Sequence, residues 1–290
     1  MKQVRFIFLV SLILLNTSCD FSEVCHYQGD VRVSFDWKRL VQGDSVPSGM
    51  ETIFYSDENT PKTFTVSGDT TLTGIPAGQQ YAVTFSHLPN ITFQGMEKME
   101  TSQLCLSTYM KKEALHTVQA PMIYLDKQEL KVEPYDTTAC HFIPTPSIQQ
   151  VNFEFVIIRE TDAGSPLTLS GELSGVATAY SLSRMKAIRS SAILEFSTEK
   201  KVENEFWKNI RVLGLNPSTA DGEAISKILS VSLTLDDGHI YTSDLDLTRK
   251  FENFLSGVLT CRIEIHINSQ GMSMQVADWE TRDWGDIHIR

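Results

Sequence analysis

The sequence is short of basic residues, of helix signals and of catalytic signatures. Lys and Arg number 25 against 36 Asp and Glu, a net charge of −11. Nucleic-acid binding needs a basic footprint, so nucleic acid is excluded as a partner. No GxSxG, HExxH, Walker-type or GxGxxG signature occurs, and a non-enzymatic protein without a cofactor is expected. Only five cysteines are present. No CxxC or Cys/His ligand spacing appears among them, which argues against a zinc site. No apolar run approaches the roughly 20 residues that span a bilayer. No strand–helix–strand rhythm appears either, which excludes a parallel α/β sheet.

The chain begins with a compact export pattern. Lys2 and Arg5 form a positive n-region, and Phe6 to Leu15 form an apolar stretch broken only by Ser11. Small polar residues follow at Thr17-Ser18, then Cys19. A removed export signal has this shape. It resembles a bacterial lipoprotein signal, in which Cys19 becomes the acylated N-terminus. Asn16 stands where the usual pattern has Leu. Ordinary secretion with an incidental Cys19, or an uncleaved anchor, are the alternatives. Cleavage before Cys19 removes two bases and no acid, so the net charge moves from −11 to −13. Residues 1–18 are read as signal and 19–30 as a lipidated tether. The remaining Cys25, Cys105, Cys140 and Cys261 allow three pairings. Cys105 and Cys140 lie in the same half and are candidates to pair, whereas Cys261 reads as a buried free thiol.

Beyond the tether, two-residue alternation dominates the chain. Val31, Val33, Phe35 and Trp37 share one face, as do Tyr81, Val83 and Phe85. Val151, Phe153, Phe155 and Ile157 repeat the pattern, and so do Cys261, Ile263, Ile265 and Ile267. Such segments read as half-buried antiparallel strands with one face toward water. Asp237-Gly238 reads as a two-residue hairpin turn. That turn pairs Leu235 with Ile240 and puts Ile240 on the face of Val231, Leu233 and Leu235. Residues 200–209 and 247–257 are expected to form short helices. The proline-rich stretch 143–150 marks a boundary, giving domains at 31–146 and 147–290.

Four stretches, VRVSFDWKRL, LTGIPAGQQYAVTFSH, FVIIRETDAGSPLTLSGELSG and GMSMQVADWETRDWGDIHI, together resemble a Bacteroidetes lipoprotein family of uncharacterised function, related to the fimbrillin-associated anchor proteins. The resemblance runs from about Val31 to Ile289. It implies an all-β fold of two tandem transthyretin-like antiparallel β-sandwich domains after the signal peptide. It also implies an outer-membrane, surface location and a role as a fimbrial anchor or accessory subunit. Partners implied are the outer membrane, through lipid on Cys19, and fimbrial subunits joined by β-strand addition. Asp20 and Glu23 accompany surface export in such lipoproteins. The alternative function is a surface glycan-binding lipoprotein for nutrient uptake.

Few residues suggest chemistry. Trp279 and Trp284 sit among acids and are the candidates for glycan stacking. Ser45, Thr70 and Thr137 each follow an Asp and match the short O-glycosylation pattern of exported Bacteroidetes proteins. His239, His266 and His288 fall in C-terminal strands, Glu264 shares a face with His266, and Asp286 and Arg290 share one with His288. These read as water-facing positions, not as a metal site. The alternating acids of Asp244–Thr248 lack the glycine of a calcium loop and read as a solvated strand face.

Overall fold

The protein is represented by a computed structural model that describes residues 27–57, 60–86, 88, 90–159, 164–215, 225–268 and 270–284, with the side chains of 189 and 190 left out. The signal, Cys19 and Cys25 lie outside the described residues, as do Asp286, His288 and Arg290. The first strands are β1 (Gln28–Phe35), β2 (Met50–Tyr55), β3 (Lys62–Val66), β4 (Thr70–Pro76) and β5 (Gly78–Ser86). Four short strands follow: β6 (Ile91–Gln94), β7 (Gln103–Leu106), β8 (Thr108–Lys111) and β9 (Ala114–Thr117). Next come β10 (Tyr124–Val132), β11 (Thr137–Phe142) and β12 (Thr145–Pro146). The second half holds β13 (Gln149–Arg159), β14 (Pro166–Ser181), β15 (Lys186–Ser197), β16 (Glu199–Val202), β17 (Glu205–Val212), β18 (Ile228–Leu235) and β19 (Ile240–Asp246). A single turn α1 (Thr248–Phe251) precedes β20 (Gly257–Asn268) and β21 (Gly271–Arg282).

The fold is all-β. In the first half, the sheet β11-β1-β4 faces the sheet β12-β10-β5-β2-β3. Val31, Val33, Phe54, Ile75, Val132, Phe142 and their neighbours fill the space between. In the second half, β16-β17-β13-β20-β21 faces β19-β18-β14-β15 around Phe153, Phe155, Leu233, Ile263 and Ile265. The two halves share one strand order. With the seven main strands of each half numbered along the chain, one sheet runs 7-1-4 and the other 6-5-2-3 in both. The repeat is topological and leaves no visible repeat in sequence.

Alternation placed the strand faces well where one face meets water. Val151, Phe153 and Phe155 on β13 are buried, as are Cys261, Ile263, Ile265 and Ile267 on β20. It failed on β5, where Ala82 and Thr84 were expected to face water yet have 0% exposure. Ala82 packs into the first sandwich, and Val83 and Phe85 pack into a further core on the other side. Burial on both faces leaves the Thr84 hydroxyl without water, and it bonds the Thr52 hydroxyl at 3.0 Å.

Several other expectations are corrected. Among the described residues the first strand begins at Gln28, three residues before Val31, and Gln28 and Gly29 pair with Pro76 and Ile75. The sandwiches are not purely antiparallel: β1 runs parallel to β11 and β13 parallel to β20. Residues 200–209 form a β16–β17 hairpin, not a helix. Phe206, Ile210 and Val212 are buried on one face of β17, with partly buried Lys208 on the same face, while Val202 is exposed. The helix expected over 247–257 is reduced to the one turn α1, whose Phe251 plugs the second core. The β18–β19 hairpin is shifted by one residue, since Ile240 pairs with Thr234. Its loop holds three residues: Leu235 N–H donates to His239 O at 2.9 Å and Gly238 N–H to Leu235 O at 3.1 Å. Gly238 takes φ +86°, the left-handed residue that follows a type I turn in such loops. A one-residue slip reverses faces. Ile240 is therefore exposed, and Tyr241 and Leu245 pack on the core instead.

The segment from β6 to β9 leaves the first sandwich. β7 pairs with the end of β14, and β9 pairs with β15. The second half's sheet is thereby extended by strands from the first half, across the expected division at 146/147. A third core results, shared by both halves: Ile53, Val83 and Phe85 from the first sandwich, Leu104 and Leu106 from the excursion, and Tyr180 and Leu213 from the second.

Candidate functional site

The three candidate glycosylation positions are exposed and each adjoins a structured acid. Ser45 lies in the loop between β1 and β2; Thr70 and Thr137 open β4 and β11. The preceding acids all act as hydrogen-bond acceptors. Asp44 accepts from the Tyr124 hydroxyl at 2.8 Å, Asp69 from Phe35 N–H at 3.1 Å and Asp136 from Thr137 N–H at 2.7 Å. Tyr124 in turn accepts from Val41 N–H at 3.0 Å, and its burial pushes the phenol above its usual range.

Trp279 and Trp284 pack on different cores. Trp279 lies half-buried against the second core, 6.2 Å from the Phe251 ring, with the Lys250 ammonium 5.7 Å over its own ring. Trp284 packs against the shared core and donates its indole N–H to Ile148 O at 3.1 Å. His239 sits beside its turn, 3.1 Å from Asp237. His266 lies 3.6 Å from Glu264 and within 3.3 Å of Gln275. Among the described residues, no group of three or more His, Cys, Asp or Glu is placed to hold a metal ion. Asp244 and Asp246 point to solvent along β19, and Asp246 accepts from Thr248 N–H at 2.8 Å.

Cys105, Cys140 and Cys261 are free thiols, so the expected Cys105–Cys140 pair is not formed. Cys140 is enclosed in the first sandwich, whereas Cys105 sits on β7, in the excursion that joins the other half. Burial pushes the Cys140 and Cys261 thiols up to about 12.

Two features escaped sequence reasoning because their parts lie far apart in the chain. One is a clasp that fastens the β8–β9 hairpin to β15. Lys111 Nζ lies 2.6 Å and His116 Nδ1 3.1 Å from the same Glu195 oxygen, and Tyr109 stacks on the His116 ring. The Lys111 hydrogen bond holds the Glu195 carboxyl below its usual range. The other is a cavity of about 1130 Å³ over the outer face of β6, β7, β14 and β15. It is lined chiefly by Thr, Ser and Gln, and also by Arg184, Lys186 and Glu100.

The described helices include none long and apolar enough to cross a membrane. No curated protein matches the chain. Its fold matches solved structures almost end to end. A candidate adhesin from Bacteroides ovatus ATCC 8483 aligns with a TM-score of 0.63 at 16% identity, over 88% of this chain and 95% of that one. A second candidate adhesin from Bacteroides ovatus gives 0.59 at 8% identity, over 87% and 95%. The fimbrial anchor protein Mfa2 from Porphyromonas gingivalis gives 0.54 at 10% identity, over 86% and 97%. At these identities the likeness establishes a common fold. The sequence itself is matched over residues 18–197, more than half of the chain, by the family described as a domain of unknown function, DUF5119, and the protein belongs to that family.

Proposed function

We propose that this protein is a lipid-anchored cell-surface subunit, a fimbrial anchor or accessory protein that works by adhesion and assembly, not catalysis. The observation that carries this reading is the extent of the likeness to a fimbrial anchor, over 86% of this chain and 97% of that one. The sequence before the fold supports it, because Cys19 stands nine residues ahead of β1, at the end of an export pattern. Acyl chains on that thiol would hold the chain in the outer membrane, each buried CH₂ contributing roughly 0.8 kcal/mol.

Assembly by strand addition requires an unpaired sheet edge. β8 terminates the eight-stranded sheet, and all four of its residues are exposed, including Tyr109 and Met110. Short and backed by the Glu195 clasp, it offers a firm edge for an incoming strand. Ser45, Thr70 and Thr137 are its proposed glycan attachment points. In the producing cell, palmitate labelling of the wild type and of Cys19→Ala tests the anchor. Labelled wild type that protease shaving of intact cells removes, with an unlabelled variant released to the medium, is expected. A wild type that takes up no palmitate, or that shaving leaves uncut, would sink the placement. Surface fibres unchanged after deletion of the protein would remove the fimbrial role.

A further inference from the structure

The cavity over β6, β7, β14 and β15 has a construction that the adhesion reading does not use. Its strands are locked in register by their inner face. Phe93, Leu104, Tyr180 and Ala187 lie opposite one another across the four strands and enter the shared core. The next residues along each strand must point outward. They form two rungs. One runs Thr92, Cys105, Ala179, Ile188; the other runs Gln94, Gln103, Ser181, Lys186.

An outward rung on a flat sheet is exposed at every position. Here Ala179 and Ser181, at the middle of the rungs, are each only 6% exposed. They form the floor of a trough between longer side chains, and the Ser181 hydroxyl is held by the turn that follows it, accepting from Arg184 N–H at 3.2 Å and bonding the Ser183 hydroxyl at 3.0 Å. The trough encloses about 1130 Å³. Small-molecule sites occupy about 300–1,000 Å³, so the trough suits an extended ligand.

The chemistry of the walls selects among extended ligands. Gln103 Nε2–H donates to Gln94 Oε1 at 3.2 Å. That bond fixes the planes of both amides and uses one donor and one lone pair, whereas each amide carries two of each. The paired amides both donate and accept, as do the adjacent hydroxyls of a sugar, and the Thr92 hydroxyl, which donates to Cys105 O at 3.4 Å, presents acceptor lone pairs. Arg184 and Lys186 line the same trough against one acid, Glu100, in a chain of net charge −11, and this excess of cations would receive an acidic sugar substituent. A peptide strand is recognised through a free sheet edge with pockets for alternate side chains. This surface is a sheet face whose central strands β7 and β14 are each paired on both sides.

We propose that this trough is a binding site for a hydroxyl-rich oligosaccharide, held by Gln94, Gln103 and Thr92, with Arg184 and Lys186 receiving a carboxylate-bearing sugar. The site is separate from Trp279 and Trp284 and does not depend on the anchor reading.

The test uses the full chain, clustered on beads and applied to an array of neutral and uronate-containing oligosaccharides. Retention of a defined glycan is expected. The double variant Gln94→Ala/Gln103→Ala should weaken it by roughly tenfold or more, with an unchanged melting temperature because both side chains lie outside the cores. Lys186→Ala should weaken uronate glycans and spare neutral ones, and Trp279→Ala should change neither. Cys105, beside Ala179 in the trough, supplies a second readout: the retained glycan should slow its alkylation, followed by peptide mapping. No retained glycan, equal retention by the double variant, or undiminished Cys105 alkylation would overturn the proposal. So would displacement of the glycan by an extended peptide that binds the trough more tightly.

Discussion

Leu104→Ala tests whether the two halves of the chain are one cooperative unit. Leu104 lies on the excursion strand β7, is 2% exposed, and faces Tyr180 of β14 across the ladder. The cluster that buries it takes Ile53 and Phe85 from the first sandwich and Leu213 from the second. Truncating a buried Leu to Ala costs about 2–5 kcal/mol, depending on how far the cavity collapses. Rigid strands on both sides limit that collapse, so we take about 3 kcal/mol. Whole domains are held by only about 5–15 kcal/mol. For chains of 150–250 residues, each kcal/mol moves the melting temperature by roughly 2–4 °C, which gives a fall of roughly 6–12 °C. Scanning calorimetry should show one transition displaced as a unit. Fluorescence of single-Trp versions retaining Trp37 or Trp207, one in each half, should report the same midpoint. Thr92→Ala, on an exposed position of the neighbouring strand, should stay within about 0.5 kcal/mol of wild type. Two separate transitions with only one displaced would refute the shared core as the coupling element. A loss below about 1 kcal/mol would refute the burial argument itself.

Three further outcomes are expected. Gln149→Leu should destabilise by roughly 1–3 kcal/mol for each backbone partner left unsatisfied, because its amide donates to Phe254 O and accepts from Leu215 N–H, both at 2.7 Å; chemical denaturation measures it, and a neutral effect would refute the accounting. Peptide mapping without reductant should recover Cys105 and Cys140 unlinked to one another, and a crosslinked pair would contradict the separate placements of the two thiols. Glu195 has its folded pKa depressed, so its contribution is present above the unfolded value of about 4.3 and is lost as pH falls through the folded value. Glu195→Gln should therefore be less stable than wild type near neutral pH, with the gap closing in acid; a gap that persists at low pH would mean that the Lys111 pairing is not its source.

Much of the fold was legible because two-residue alternation is a local property. It gave the inward faces of β1, β13 and β20, and the buried thiol of Cys261 followed from it. Reasoning failed where the deciding partner lay far along the chain. Ala82 and Thr84 look like the wet face of a strand, yet Ala82 faces the core of the first sandwich, and Leu104, Tyr180 and Leu213 cover Val83 and Phe85 on the opposite face. Val202, Phe206 and Trp207 mimic a helical spacing, but strand pairing with Trp207 and Phe206 turns 199–202 into an edge. Asp237-Gly238 announced a hairpin correctly. The left-handed glycine then closed a three-residue loop and moved Ile240 to the outside.

The sequence by itself determined that strands form and, for singly covered strands, which side of each is apolar, because that pattern is written residue by residue. Only the tertiary structure decided which strands are covered twice. It alone carried residues 91–117 from one half's sheet to the other's, and it alone lined up Gln94, Gln103, Ser181 and Lys186 across a trough. Strand pairing is non-local: each rung joins residues from as many as four segments, and no short-range pattern records which segments will meet.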